Sequence, residues 1–419
     1  VARSNKVLVI GLDGVPFSLV SDLMEKGIMP SLRSVSEQSR LVEMKVSLPE
    51  VSAVSWTGFM TGSNPGTHGI FGFTDLKPYS YELVFPLYAQ IKVPTIWDRL
   101  GSLGKRSIVI NQPATYPVRR IDGVMISGFV AVDLFKSVFP ARYIRKLRKN
   151  NYLIDIDTER CRKDHSLLFE ELDQTLESRK YAVDLLWNSE NWDFFELVIT
   201  GTDRLQHYLF DAIDTMHHPY HDKVMAYYRK VDALIGDLVD RFQNKVGSKN
   251  IWERVFILSD HGFCPLKKEV YLNTWLRNEG YLFLDKDNLF SLSSMKSKTL
   301  AFALDPGRIY LHTQKQFPMG TVQEQQVPDV LHRLKESLFR LEHDGLKVVN
   351  HVYERDEIYS GPMIDRAPHL LIQTRKGFDA RASFQSAEIF RDTDLTGMHT
   401  ADDAFCINGR LPKEGLNIE

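Results

Sequence analysis

Short apolar runs recur along the chain, at Val7–Leu12, at residues 107–110, 194–200 and 254–259, at Arg308–Leu311 and at 369–373. Several are apolar almost continuously rather than alternately, which is the pattern of strands covered on both faces of a mostly parallel sheet. Most are separated by stretches of helical character, among them residues 143–150 and 166–180. This alternation predicts an α/β fold: a doubly wound, mostly parallel sheet with helices on both faces. In such sheets ligands bind beyond the carboxyl ends of the strands, so polar residues that directly follow a strand are candidates for function. Asp13 follows the first run, Asp203 follows the 194–200 run, and Asp260-His261 follow the 254–259 run.

Two regions interrupt the simple alternation. Residues 75–190 carry turn clusters and charged helical stretches and read as an inserted cap. Residues 281–387 mix a Ser/Lys-rich segment, 291–298, with strand and helix signals and read as a second insertion. The expectation is one catalytic domain over residues 1–419 bearing both insertions, with no internal repeat.

Composition narrows the class without naming a chemistry. At 419 residues and 43% hydrophobic content, the chain is long enough to bury a large core around a deep site. Its 52 Lys+Arg nearly balance 54 Asp+Glu, which gives no basic groove for a nucleic-acid polymer and no electrostatic anchor for a membrane. The 3 cysteines, Cys161, Cys264 and Cys406, are far apart and lack any CxxC spacing, so neither a disulfide framework nor a thiolate zinc site is expected. The first apolar run has strand rather than signal-peptide length. No run approaches the ~20 residues that span a bilayer. A cytoplasmic protein is expected; oligomeric state is not legible.

The chemistry rests on Asp13, Asp203, His207, Asp260, His261 and His399. Asp203 and His207 stand four apart, so on a helix opening after the strand they share one face and can grip one ion. Asp260 and His261 are adjacent, and on a tight turn both can point into one cleft. A mixed carboxylate and imidazole set suits zinc, then manganese, better than calcium. Two such ions roughly 4 Å apart would clamp the attacking and leaving oxygens of a phosphoryl transfer. A nucleophile is needed beside them, and residues 47–62 offer Ser52, Ser55, Thr57 and Thr61; spacing does not choose among the four.

The chain resembles the alkaline phosphatase superfamily, in particular its type I phosphodiesterase/nucleotide pyrophosphatase branch and the related predicted phosphohydrolases and phosphomutases. The resemblance rests on Gly11-Leu12-Asp13-Gly14, on Thr61-Gly62-Ser63-Asn64-Pro65-Gly66-Thr67-His68-Gly69-Ile70, on Thr202-Asp203-Arg204-Leu205-Gln206-His207, on Ser259-Asp260-His261-Gly262-Phe263 and on Gly397-Met398-His399. Pro113-Ala114-Thr115-Tyr116-Pro117 is similar to the predicted-phosphohydrolase group. The resemblance implies one metal held by Asp13, Asp260, His261 and the nucleophile, and a second held by Asp203, His207 and His399. It places the nucleophile nine residues before Thr61, at Ser52. Many relatives carry Thr there, with Pro two residues later where this chain has Val54. Nucleotide pyrophosphatases carry an Asn that contacts the phosphoryl oxygen where this chain has Phe73, which weighs against nucleotide diesters. The sulfatase pattern Cys-x-Pro-x-Arg is absent from the nucleophile segment.

The expected function is a metal-dependent phosphohydrolase acting on phosphate monoesters or diesters through a covalent phosphoserine, with a small phosphorylated molecule as substrate. A phosphomutase or phosphotransferase is the near alternative, and a non-catalytic metal-containing binding module the alternative of another class. Asn111, Arg204, Lys267 and Arg308 are candidate substrate contacts by location.

Overall fold

A computed structural model describes residues 6–285 and 292–412, with the backbone of Leu416–Asn417. Residues 1–5, ahead of the first strand, and Ser291 of the Ser/Lys-rich segment lie outside the described residues. The chain forms two compact units: Val1–Gly62, Leu87–Phe263 and His399–Glu419 make the first, and Ser63–Pro86 with Cys264–Met398 the second.

A 9-stranded sheet organises the first unit. Its middle consists of five parallel strands in the spatial order Val255–Leu258, Val7–Leu12, Phe194–Ile199, Ser107–Gln112, Gly123–Ser127. Antiparallel Ala404–Ile407 flanks one side and antiparallel Val138–Phe139 the other. Val7–Leu12, Phe194–Ile199 and Ser107–Gln112 are buried almost throughout, which is why their sequences are continuously apolar. Helix His165–Trp187 packs on the Ser107–Gln112 and Phe194–Ile199 strands. The helix Pro30–Gln38 has its first-turn N–H groups, Ser31 and Leu32, donating to the buried Asp232 carboxylate at 2.9 and 2.8 Å. That negative group meets the positive end of the helix and satisfies two donors left over by the helical pattern.

The second unit contains a four-stranded antiparallel sheet in the order Ala301–Leu304, Arg308–Leu311, Leu370–Thr374, Val349–Glu354. The apolar runs at Arg308–Leu311 and 369–373 therefore do not extend the parallel sheet. Arg308–Leu311 is buried at every position, and periodicity does not separate a doubly covered antiparallel strand from a parallel one. The boundaries of the expected insertions also differ from the observed units. Residues 75–190 include the Ser107–Gln112 and Gly123–Ser127 strands of the main sheet, while residues 281–387 fall inside a unit that starts at Cys264 and recruits Ser63–Pro86. All three cysteines are buried and none is part of a disulfide. No described helix is long and apolar enough to cross a membrane.

Glu196 sits in the central strand, in register with Val9 and Val109, fully buried, and neither carboxylate oxygen has a hydrogen-bond partner among the described residues. Burial pushes its pKa up to about 8. An acid raised in the folded state favours folding fully below its unfolded pKa, and that contribution is lost as pH rises towards the folded value. The window here runs from about pH 4.5 to 8. Glu196→Gln should therefore melt about 2–4 °C above the parent at pH 8, with the gap closing towards pH 5. Calorimetry at both pH values checks this; a gap independent of pH would contradict it.

Candidate metal centre and active site

Three neighbouring parallel strands deliver the acidic groups. Asp13 follows Val7–Leu12, helix Gly201–Leu209 follows Phe194–Ile199 and carries Asp203 and His207, and Asp260-His261 follow Val255–Leu258. All three arrive at the carboxyl edge of the sheet, so the geometry follows from strand order alone. His399, in strand Gly397–Thr400, completes the group.

The side chains converge into two overlapping clusters. In one, Ser52 Oγ lies 3.2 Å from Asp13 Oδ1 and 3.3 Å from His261 Nε2. His261 Nε2 is in turn 3.7 Å from Asp13 Oδ1 and 3.5 Å from Asp260 Oδ2. In the other, His399 Nε2 is 3.0 Å from both Asp203 Oδ1 and His207 Nε2, and His207 Nε2 is 3.5 Å from Asp203 Oδ1. Four ligands about 2.1 Å from a tetrahedral ion stand roughly 3.4 Å apart, so separations of this kind suit one ion per cluster. Asp13, Asp260 and His261, and separately Asp203, His261 and His399, each form a group able to hold a metal ion.

The electrostatics also call for cations. Burial, then the neighbouring Asp260 and Asp203, hold the Asp13 carboxyl well above the usual range. Burial pushes Asp260 up to about 7, and its Oδ2 has no hydrogen-bond partner among the described residues. Burial would raise Asp203 too, but His207, the hydrogen bond with His399 and the Arg204 guanidinium together take it below the carboxylate range. His261 is fully buried, and burial followed by the proximity of His399 keeps it neutral. Two carboxyls left wanting positive charge, next to neutral imidazoles, make the donor set of a divalent-cation site.

A second layer aims these ligands. His399 Nδ1 donates to the Glu50 carbonyl at 2.9 Å and His261 Nδ1 to the Gly262 carbonyl at 3.1 Å, which leaves each Nε2 lone pair facing the cluster. Trp56 Nε1 donates to Asp13 Oδ1 at 3.4 Å, and Gly14 N to Asp260 Oδ1 at 3.0 Å. The glycines are steric necessities. A Cβ on Gly11 would stand 2.4 Å from the Trp56 ring, and Gly14 has φ +69° with His261, Phe263 and Asp203 around it. Thr202 Oγ1 donates to the Asp13 carbonyl at 2.6 Å, tying the helix to the first strand turn.

Ser52 opens helix Ser52–Thr61, which closes on Gly62 in the left-handed conformation at φ +62°. Two of the other candidate hydroxyls, Thr57 and Thr61, donate to carbonyls one turn back, both at 2.6 Å. The four candidate substrate contacts are engaged in different ways. Asn111, at φ +65°, is fully buried and its amide donates to the Val198 carbonyl at 3.1 Å and Thr200 Oγ1 at 3.4 Å. Arg308, in the second unit, is also fully buried, bonded to the Asp305 carbonyl with Tyr310 and Thr74 beside it. Lys267 is exposed in that unit. Arg204, in the first unit, reaches the cluster, donating from Nη1 to Asp203 Oδ2 at 3.0 Å. Sequence reasoning missed Trp56, Glu50 and Gly262 as supports; two of these act through backbone carbonyls, which leave no residue-type signal.

A family model described as type I phosphodiesterase / nucleotide pyrophosphatase matches residues 7–402. No curated protein sequence matches the chain. Among solved structures, phosphonoacetate hydrolase from Sinorhizobium meliloti 1021, in complex with phosphonoformate, superposes with a TM-score of 0.62 at 17% identity, covering 99% of this chain and 92% of that one. Murine ectonucleotide pyrophosphatase / phosphodiesterase 5, an inactive variant in complex with AMP, gives 0.58 at 14% identity, covering 99% and 91%. The wild-type alkaline phosphatase PafA gives 0.59 at 14% identity, covering 100% and 93%. At these identities the likeness speaks for the fold, and the family assignment rests on the match along nearly the whole chain. The chain belongs to the type I phosphodiesterase / nucleotide pyrophosphatase family, and is a hydrolase acting on phosphoric ester bonds.

Proposed function

We propose that the protein hydrolyses phosphate monoesters in two steps through a phosphoserine at Ser52. The observation that carries the reading is the position of Ser52 Oγ, within 3.3 Å of both Asp13 and His261 at the first residue of a ten-residue helix. Asp13, Asp260 and His261, with Ser52, would hold one divalent ion, and Asp203, His207 and His399 a second; zinc is the first expectation and manganese the second. Ions so held neutralise phosphoryl oxygens and lower the pKa of a nearby hydroxyl.

The chain's own groups do the rest. Ser52 Oγ attacks phosphorus, the Oγ–P bond forms as the bond to the ester oxygen breaks, and the hydroxyl proton leaves with the departing alcohol. Water then attacks phosphorus, the Oγ–P bond breaks, and Ser52 regains a proton as inorganic phosphate departs. The helix N-terminus favours the negative charge that gathers on the phosphoryl group. Trp56 keeps Asp13 oriented, and the carbonyls of Glu50 and Gly262 keep the imidazoles in one tautomer. A monoester is favoured over a nucleotide diester because Phe73 offers no hydrogen bond where nucleotide pyrophosphatases carry Asn, and the Asn111 amide is engaged within its own sheet.

Ser52→Ala should lower turnover of a chromogenic phosphate monoester on the order of 10³-fold or more, while Asp13, Asp260 and His261 still retain the ion. The parent should turn over that monoester faster than the matching diester; the reverse preference, or full activity of the variant, would contradict the reading. Metal removal carries a separate signature. In the stripped protein the raised carboxyls of Asp13 and Asp260 hold protons that the unfolded chain releases, so stability falls as pH rises through about 7. Bound ions cancel that loss, so the difference in melting temperature between loaded and stripped protein should widen from pH 6 to pH 8. A constant difference across that range would count against the ligand set.

A further inference from the structure

Arg204 has its guanidinium divided between two carboxylates. Nη1 donates to Asp203 Oδ2 at 3.0 Å, while Nη2 and Nε donate to Asp155 Oδ2 at 2.8 and 3.2 Å. The plane of the guanidinium lies over the Phe129 ring, 4.1 Å from its centroid. Both Arg204 and Asp155 have side chains only 12% exposed. Asp155 is itself held in place: its Oδ1 accepts from Ile156 N at 3.0 Å, and the preceding carbonyls of Leu153 and Ile154 accept from the buried Arg179. Ser178 Oγ accepts from Leu153 N at 3.0 Å, so helix His165–Trp187 pins this loop from two side chains.

The geometry points to Asp155 and Arg204 as positioning residues for the metal ligand Asp203. This rests on the two-ion reading given above. Asp155 engages Nε and Nη2 and so fixes the turn of the guanidinium, and the bond that Arg204 gives to Asp203 runs from Nη1 to Oδ2. Oδ1 is thereby kept for His399 at 3.0 Å and His207 at 3.5 Å, where one ion would sit. Without the Asp155 charge, Arg204 is free to turn and grip Asp203 with both arms, the arrangement guanidinium and carboxylate favour, and so to compete with the ion for Oδ1. Arg204 is accordingly a support for a ligand rather than a clamp on substrate.

The test is a chelator-competition titration of the zinc-loaded full chain, reading the affinity of each ion, in the parent, Asp155→Asn and Arg204→Lys. Asparagine keeps the size of Asp155 without its charge; lysine keeps the charge of Arg204 without its second arm. Both variants should weaken one ion about 10-fold or more and leave the other within about twofold. In a His399→Ala background, which removes the same ion, Asp155→Asn should add no further loss. Unchanged affinities, equal weakening of both ions, or a further loss from Asp155→Asn in the His399→Ala background would overturn the assignment. A parent chain that binds fewer than two ions would instead overturn the two-ion reading on which it rests.

Discussion

Burying three carboxylates side by side is the constraint on which the rest of this site depends. Asp13, Asp203 and Asp260 are each no more than 3% exposed, and all three have an oxygen within 3.8 Å of the same His261 nitrogen. Like charges at such range in a poorly solvated place cannot all ionise without compensation. The chain supplies only part of it: Arg204 and the two outer imidazoles take Asp203 down, while Asp13 and Asp260 remain raised. The asymmetry leaves room for positive charge on the side where Ser52 stands.

The fold meets this constraint with ordinary means. Adjacent parallel strands bring their carboxyl ends together, so residues as far apart in sequence as Asp13 and His261 arrive in one place with little help from loops. Glycine at 11 and 14 lets Trp56 and His261 pack close, and carbonyls at Glu50 and Gly262 fix which imidazole nitrogen faces inwards. The cost of crowding acids at the edge is carried by a dry, well-covered sheet behind them.

Much of this was legible in the sequence because it follows from local order. Asp13 and Asp260-His261 directly follow apolar runs, and the spacing of Asp203 and His207 matches one face of the helix Gly201–Leu209 on which they lie. The proposed nucleophile was not legible from spacing, since Ser52, Ser55, Thr57 and Thr61 share a segment; only resemblance separated them. Residues that act at long range were read poorly. Arg308 looks like a free cation in sequence, yet it is buried against Asp305, Tyr310 and Thr74, and Asp155 carries no mark of its link to Arg204, 49 positions on. The extent of the two units was hidden for the same reason: Ser63–Pro86 joins Cys264–Met398 across a gap that no local pattern reports.

The central claim is that the phosphoryl group passes through Ser52. The most direct measurement is an acid quench of the metal-loaded protein during turnover of a phosphate monoester, followed by mass spectrometry of the peptide that contains residues 47–62. The account predicts a phosphate on Ser52 that forms within the first turnover and disappears when substrate is exhausted. Phosphate on Ser55, Thr57 or Thr61 instead, or steady turnover with the peptide unmodified at every quench time, would contradict it.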